Sequence, residues 1–230
     1  MDPLAASRRA PRAVRSTQED IHPRLDALVR RHLARPLRKP PAPYSRAAFA
    51  AFLAAWDGAT APVLDAGCGT GEGTRALAAR HPDRLVVGVD QSAHRLARGA
   101  ARGALPDNVI LLRADVVDIW MLLAEARVRL AAQYLLYPNP WPKPAQVMRR
   151  WPAHPVFPLV LSLGGSVECR SNWRVYVAEF ARAASLVTGA AVAVEAWDAG
   201  APLTPFERKY AAAGHALFRA VVAPATPPAP

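Results

Sequence analysis

The sequence predicts an α/β protein built on one mostly parallel sheet, with an antiparallel edge strand and helices on both faces. Between residues 63 and 137, short apolar runs rich in β-branched residues alternate with helical segments, which is typical of parallel strands joined by helices. Three runs end at or near an acid, at Asp65, Asp90 and Asp115. Ligands of open α/β sheets bind beside the carboxyl ends of the strands, so these acids indicate where a site is expected.

The individual elements are predicted from apolar periodicity and turn residues. Strands are predicted to begin near 63, 86, 109 and 134 and to cover 166–169, 191–196 and 215–222. Helices are predicted over 45–56, 74–80, 92–101, 117–127 and 172–186. Ser45 is the expected N-cap of the first of these helices. Trp173 and Tyr176 are expected to pack in the core, and the last strand is expected to run antiparallel at the sheet edge.

The chain of 230 residues, 52% of them hydrophobic, is long enough for one domain with short appendages. Residues 1–43 are predicted to form a basic, Pro-rich extension. It is expected to be partly disordered, with some helix over 20–33. Residues 44–222 form the predicted domain, and 223–230 is a low-complexity tail expected to be disordered. The first sixteen residues are compatible with a disordered basic arm or with an organelle transit peptide.

Charge and cysteine content limit the function classes. The net charge of +11 comes from 29 basic against 18 acidic residues, and a surface short of acids attracts polyphosphates such as RNA. Cys68 and Cys169 give neither a disulfide framework nor a metal-binding spacing, so no metal is expected. The sequence has no apolar run long enough to span a bilayer and no secretory signal, which predicts a cytoplasmic protein without a membrane partner. The oligomeric state stays open, with a monomer favoured.

A glycine-rich turn follows the first predicted strand. Gly67, Gly69 and Gly71 alternate directly after Asp65, and glycine there allows a sharp turn and a close approach of a ligand to the backbone. A dinucleotide fingerprint would place its third glycine at position 72, which is Glu72, so that pattern fails. The turn instead resembles the cofactor loop of Rossmann-like S-adenosylmethionine-dependent methyltransferases.

The positions of two further acids also favour S-adenosylmethionine as the cofactor. Asp90, followed by Gln91, ends the second strand, where nucleotide-binding units present a carboxylate to ribose hydroxyls. Asp115 ends the third strand, and the resemblance implies that it lies near the adenine amino group. Asp65, the three glycines, Asp90, Gln91 and Asp115 are therefore the candidate cofactor residues. Each acid also has a simpler interpretation as the N-cap of the helix that follows it.

The fourth strand leads into a Pro-rich loop, residues 138–143, which we call the signature loop. Three prolines restrict the backbone, so Asn139 between them is held with little entropy left to lose. Trp141 offers a surface on which a base can stack. A structural turn with a core tryptophan is the alternative interpretation.

The signature loop Pro-Asn-Pro-Trp-Pro-Lys, followed by Arg149 and Arg150, resembles the tRNA (guanine-N7)-methyltransferase family. A C-terminal segment, 203–210, resembles the closing Thr-x-Phe-Glu motif of that family. The resemblance implies catalytic or guanine-binding roles for Asn139, Thr204 and Glu207, with Glu207 accepting from the Watson–Crick edge of guanine. The remaining expected substrate contacts, to tRNA or another RNA, are Trp141, Lys143, Arg149, Arg150, Asn172 and the arginine-rich arm.

The departures from the family pattern are specific. The family has acids where this chain has Asn139 and Asn172, and residues 144–148 replace most of a basic tract. Three hypotheses therefore stay open. The first is a tRNA guanine-N7-methyltransferase that uses S-adenosylmethionine. The second is a diverged methyltransferase of the same fold with another RNA, base or small molecule as substrate, and the third is an RNA-binding relative without turnover.

Overall fold

The computed structural model describes residues 13–224. The helices in this range are α1 (Leu25–Ala34), α2 (Pro43–Ala55), α3 (Glu72–Arg80), α4 (Ala93–Ala100), α5 (Val116–Glu125), α6 (Phe157–Ser162), α7 (Arg174–Thr188) and α8 (Pro205–Ala212). The strands are β1 (Val63–Ala66), β2 (Val86–Asp90), β3 (Val109–Arg113), β4 (Ala132–Leu136), β5 (Ser166–Ser171), β6 (Glu195–Ala196) and β7 (Phe218–Val222). Two 3-10 helices, Pro144–Arg149 and Trp151–Ala153, lie between β4 and α6.

The strands form one sheet in the order β3-β2-β1-β4-β5-β7-β6. Strands β1 to β5 pair in parallel, whereas β7 is antiparallel to both β5 and β6. The predicted fold class and the antiparallel direction of the last strand are confirmed. Its predicted place at the edge is wrong, because the two-residue β6 pairs outside it. The strand order reverses between β1 and β4, and ligands of such sheets bind at this switch point.

Helices cover both faces of the sheet, since neighbouring residues of β1 pack against helices on opposite faces. Leu64 belongs to a large buried cluster with residues of α1, α2, α5, α6 and α7. Its neighbour Val63 belongs to a smaller cluster on the opposite face, with Leu77 of α3. Trp173 and Tyr176 are 8% and 1% exposed, which confirms the prediction that they pack in the core.

The described part of the N-terminal extension packs against the domain. Leu25, Leu28 and Val29 of α1 are buried in the same cluster as Phe180 of α7. The predicted boundary at residue 43 therefore does not separate two packing units within the described range. The predicted disordered tail lies mostly, and the first twelve residues of the arm lie entirely, outside the described residues. Within 13–224, no helix has the length and apolarity needed to cross a membrane.

Two helix starts differ from the predictions. Ala42 is the N-cap of α2, because Pro43 supplies a backbone suited to the first helical position. Ser45 is buried inside the helix, and its hydroxyl accepts a hydrogen bond from the Asp115 backbone N–H at 3.2 Å. Helix α7 begins at Arg174, so Asn172 lies before the helix rather than in it.

Candidate active site

The glycine turn lies at the carboxyl end of β1, beside β2. The Gly67 and Cys68 backbone N–H groups both donate to the Val89 carbonyl, at 2.8 and 2.9 Å. Gly67 and Gly71 have φ values of +85° and +70°, a left-handed conformation in which a Cβ is strained. Gly71 in this conformation is the N-cap of α3. The sequence thus folds into a strand-to-helix turn with bare backbone at its tip.

Asp90 lies next to this turn, at the end of β2. Its carboxylate accepts from the Gly69 and Ser92 backbone N–H groups at 2.9 and 2.8 Å, and Arg95 Nη1 lies 3.2 Å away. The Asp90 side chain is 5% exposed, whereas that of Arg95 is 60% exposed. A ligand hydroxyl can therefore take the place of Arg95 at this carboxylate without disturbing the two backbone bonds.

Asp65 lies beneath the glycine turn and not in the open site. It is 3% exposed and accepts a hydrogen bond from Thr74 Oγ1 at 2.7 Å. Burial, together with the nearby charge of Asp90, raises the pKa of Asp65 to about 6 despite the Thr74 hydrogen bond. The position of Asp65 favours support of the turn over direct contact with a cofactor.

Asp115 caps a helix at the edge of the cleft. It is the N-cap of α5, where its carboxylate accepts from the Val117 backbone N–H at 2.9 Å. Its second oxygen lies 3.2 Å from Lys39 Nζ, and Lys39 also pairs with the buried Asp118 at 2.7 Å. Asp115 nevertheless lines the same cleft as Asp90.

The signature loop follows β4 on the other side of β1. Asn139 is exposed, and its side-chain oxygen lies 3.5 Å from the Trp141 backbone nitrogen. Trp141 has a φ of +45°, which is unfavourable for a bulky residue. The Arg149 guanidinium lies over the Trp141 ring, 4.7 Å from its centroid. The loop therefore presents an amide next to an aromatic surface.

One cleft of about 680 Å³ joins these elements. The predicted site residues that line it are Gly67, Asp90, Gln91, Asp115, Asn139, Trp141 and Arg149. Gly69 and Gly71 shape the turn without lining the cleft. Sequence reasoning missed the other lining residues, which are Ser92, Arg95, Val116, Val117, Pro138, Met148, Trp151, His154 and Tyr176. The only signal in the sequence for most of these residues was that they lie near the strand-end acids or the signature loop along the chain. No spacing rule identifies them as lining residues.

His154 is the histidine among the lining residues that the sequence did not assign to this cleft. Its Nδ1 accepts from the Val156 backbone N–H at 3.1 Å, so Nε2 carries the proton in the neutral ring. Its ring packs edge-to-face against Trp151. Burial, with a smaller contribution from the nearby His32, lowers the pKa of His154 to about 4. The cleft therefore has a neutral imidazole as part of its wall.

Glu207, which was predicted to bind guanine, does not line the cleft with Asn139 and Trp141. The residue is 0% exposed. One carboxylate oxygen accepts from Tyr137, Arg170 and Trp197 at 3.1, 3.0 and 2.9 Å, and the other accepts from the Leu203 backbone N–H at 2.7 Å. With four donors already bound, its carboxylate is occupied by the protein itself.

Thr204 is also structural in this arrangement. It is 9% exposed and is the N-cap of α8, where its hydroxyl accepts from the Glu207 backbone N–H at 3.0 Å. Asn172 is half-buried, and its side-chain nitrogen lies 3.3 Å from His215 Nδ1. Neither residue lines the cleft. Thr204 and Asn172, which were expected to contact the substrate, are therefore not placed beside Asn139.

The three predicted RNA-docking cations differ in exposure. Lys143 and Arg149 are exposed, and Arg149 lines the cleft. Arg150 is 0% exposed and forms an ion pair with Glu179. The buried position of Arg150 does not favour the predicted contact with RNA. Within residues 13–224, no group of three or more histidine, cysteine or acidic side chains is arranged to hold a metal.

A family model described as "Putative methyltransferase" matches residues 59–220. Over 175 residues the chain is 30% identical to a tRNA (guanine-N(7)-)-methyltransferase of Leifsonia xyli subsp. xyli, covering 70% of this chain and 75% of the relative. Over 165 residues it is 35% identical to a protein of the same name from Nocardioides sp., covering 67% and 64%.

Solved structures agree on the fold. The 16S rRNA methyltransferase KamB aligns with a TM-score of 0.55 at 19% identity, covering 77% of this chain and 94% of that one. A mutant 16S rRNA (adenine(1408)-N(1))-methyltransferase from Catenulisporales acidiphilia aligns with a TM-score of 0.52 at 16% identity, covering 79% and 93%. The fold is thus that of known methyltransferases, and the family model and the sequence matches show that the chain belongs to the tRNA (guanine-N7)-methyltransferase family.

Proposed function

We propose that the protein transfers a methyl group from S-adenosylmethionine to N7 of a guanine in tRNA. The observation that carries this proposal is the shared cleft, which is lined by Asp90 on one side and by Asn139 and Trp141 on the other. A cofactor bound at the glycine turn and a base bound at the signature loop would then be neighbours. Holding two reactants side by side is the main requirement for a direct transfer.

The residues on the β1–β2 side fit S-adenosylmethionine. A Cβ added at Gly67 would meet no atom within 4 Å, so the bare backbone there borders open space that a ligand can enter. Asp90 would bind the ribose hydroxyls, with Gln91 beside it, and Asp115 would accept from the adenine amino group next to the apolar Val117. When bound, the cofactor supplies an electrophilic methyl group on a sulfonium.

The residues on the β4 side would bind and orient the base. Guanine N7 carries a lone pair and no proton, so the reaction needs alignment and exclusion of water more than a general base. Trp141 would supply a stacking surface, while Lys143 and Arg149 would contact the RNA backbone. The base gains positive charge as it is methylated, and the neutral state of His154 avoids repulsion with that charge.

Asn139 is the residue most directly affected by the departure from the family pattern. A carboxylate at this position would stabilise the developing positive charge more than the amide does. By analogy with the loss of one preorganised electrostatic group, the difference is about 2 to 4 kcal/mol. We therefore expect a slow enzyme rather than an inactive one.

The test is transfer of labelled methyl from S-adenosylmethionine to unfractionated tRNA that lacks its own guanine-N7 methylation. The modified base is identified by cleavage at 7-methylguanine and by mass spectrometry. Label on guanine N7 is expected, with loss of both cofactor binding and label in Asp90→Ala. The exposed Asp107 provides the control, because Asp107→Ala should change neither cofactor binding nor the label on guanine N7.

The second hypothesis is a methyltransferase of the same fold with another target, and it is favoured by Asn139 and Asn172 in place of acids. Cofactor binding without any label on tRNA guanine, but with label on another RNA or base, would support it and contradict the first. Binding of RNA with no transfer to any substrate would leave the RNA-binding hypothesis.

A further inference from the structure

A buried ion pair connects the signature loop to two distant parts of the chain. Arg150 Nη1 and Glu179 Oε1 lie 2.7 Å apart, and both side chains are 0% exposed. Gln18 completes the contact, because its side-chain oxygen accepts from both terminal nitrogens of Arg150 at 3.1 Å. Its side-chain nitrogen donates to Glu179 Oε1 at 2.7 Å. The N-terminal segment, the 3-10 region and α7 therefore meet at one point.

The same network holds the backbone of the signature loop. Arg150 donates from Nε to the Trp141 carbonyl at 3.1 Å and from Nη2 to the Lys143 carbonyl at 3.4 Å. Between these two, the Pro142 carbonyl accepts from Ser16 Oγ at 2.5 Å. Three successive loop carbonyls are thus bound by side chains from outside the loop.

The loop needs such external support for two reasons. Prolines alternate along it and have no N–H group, so the loop has few backbone donors with which to stabilise itself. Trp141 also has a φ of +45°, and a bulky residue remains in that region only when its surroundings hold it there. Arg150 binds the carbonyl of this strained residue and, through its cation–π contact 4.8 Å from the Trp173 ring centroid, is itself fixed to the start of α7.

We propose that Gln18, Arg150 and Glu179 are positioning residues that hold the signature loop in the conformation presenting Asn139 and Trp141 to the base. The inference rests on the proposed function of the cleft. It also gives the N-terminal segment a role in the active site, since Ser16 and Gln18 lie more than a hundred residues before the loop. Stability alone does not require an ion pair here, because apolar residues of similar volume fill buried sites at least as well.

Two variants test the proposal, and neither removes a buried charge. Gln18→Ala leaves the Arg150–Glu179 pair intact, and Arg150→Lys keeps the positive charge but lacks the planar fork that reaches several acceptors. In both, we expect faster amide hydrogen exchange at residues 141 and 143. We expect kcat/KM for tRNA methylation to fall by as much as about 10²-fold through misplacement of the loop. The Kd for S-adenosylmethionine should not change, because the network lies on the β4 side.

Arg182→Gln is the matched control. It breaks the ion pair with Asp26, which also joins the N-terminal region to α7 but does not touch the loop. Loop exchange and kcat/KM are expected to stay at the wild-type level in this variant.

Unchanged amide exchange rates at residues 141 and 143 in both test variants would overturn the proposal. The same holds if Arg182→Gln raises these exchange rates as much as the test variants do. A change in loop exchange without any change in kcat/KM would overturn it too, since the network would then be merely structural. Absence of guanine-N7 label with the wild-type protein would contradict the proposed function instead. The exchange measurement needs no turnover, so the two failures are distinguishable.

Discussion

Glu207 and Arg170 form a buried ion pair in which Oε1 and Nη1 lie 3.0 Å apart, with side-chain exposures of 0% and 2%. Arg170 also pairs with Glu168 at 2.6 Å and lies over the Trp197 ring, 4.2 Å from its centroid. The pair fastens the start of α8 to β5 and, through Tyr137, to the end of β4. The C-terminal motif therefore lies within the architecture behind the cleft, and we expect its role to be structural.

Replacement of Glu207 tests this structural role. In Glu207→Gln we expect the free energy of unfolding to fall by about 3 kcal/mol, because an amide nitrogen then faces buried donors and Arg170 loses one of its two partners. Urea denaturation measures the change, with the exposed Glu125→Gln as the control. Unchanged stability combined with a large loss of kcat/KM would instead indicate direct contact with the substrate.

Restoring an acid in the signature loop should speed the reaction. Asn139 is exposed, so Asn139→Asp is expected to change stability by less than about 0.5 kcal/mol. A carboxylate there stabilises the positive charge on the base, and we expect guanine-N7 methylation to become about 10² to 10³ times faster. Single-turnover kinetics with tRNA gives the rate. An equal or lower rate would contradict the role assigned to this position, and Asn172→Asp, outside the cleft, should have a smaller effect.

Asp65 should make stability depend on pH in an unusual direction. Burial raises its folded pKa to about 6, above the value of 3.8 for an unperturbed aspartate, so between these values the folded state binds more protons than the unfolded state. The contribution of Asp65 to the free energy of unfolding is therefore fully present below about pH 4, and it is lost as pH rises through about 6. Over this range the contribution falls by about 3 kcal/mol, at 1.36 kcal/mol per pKa unit.

The comparison with Asp65→Asn isolates this contribution, because asparagine can still accept from Thr74 and does not titrate. The free energy of unfolding of the wild type, minus that of the variant, should fall from pH 4 to pH 7. A difference that stays constant, or that rises with pH, would show that the pKa of Asp65 is not raised.

Gly99 lies where α4 packs against the glycine turn. A Cβ built at this position would lie 1.9 Å from the Thr70 carbonyl oxygen, so an alanine must displace the backbone of the turn. We expect Gly99→Ala to weaken S-adenosylmethionine binding by about tenfold or more, equivalent to about 1.4 kcal/mol. Isothermal titration gives the affinity. The exposed Ala100→Ser on the same helix is the control, and equal affinities of the two variants would refute the prediction.

Local sequence patterns were enough to predict the fold class, the family and the place of the candidate site. Alternating apolar runs require a parallel sheet, and the strand-end acids, the glycine turn and the signature loop are local patterns that sequence displays directly. Asp90, Asp115, Asn139 and Trp141 meet in one cleft because strand ends near the switch point of such a sheet are close together.

Tertiary structure alone decided which polar residues face that cleft. Arg150 and Glu207 belong to motifs that resemble binding sites, yet each is buried against a partner that lies 29 or 37 residues away in the chain. Gln18 and Ser16 gained a place beside the signature loop through packing of α1 on α7. Burial of a charged group depends on whether a distant partner offsets its desolvation, and local sequence does not contain that partner.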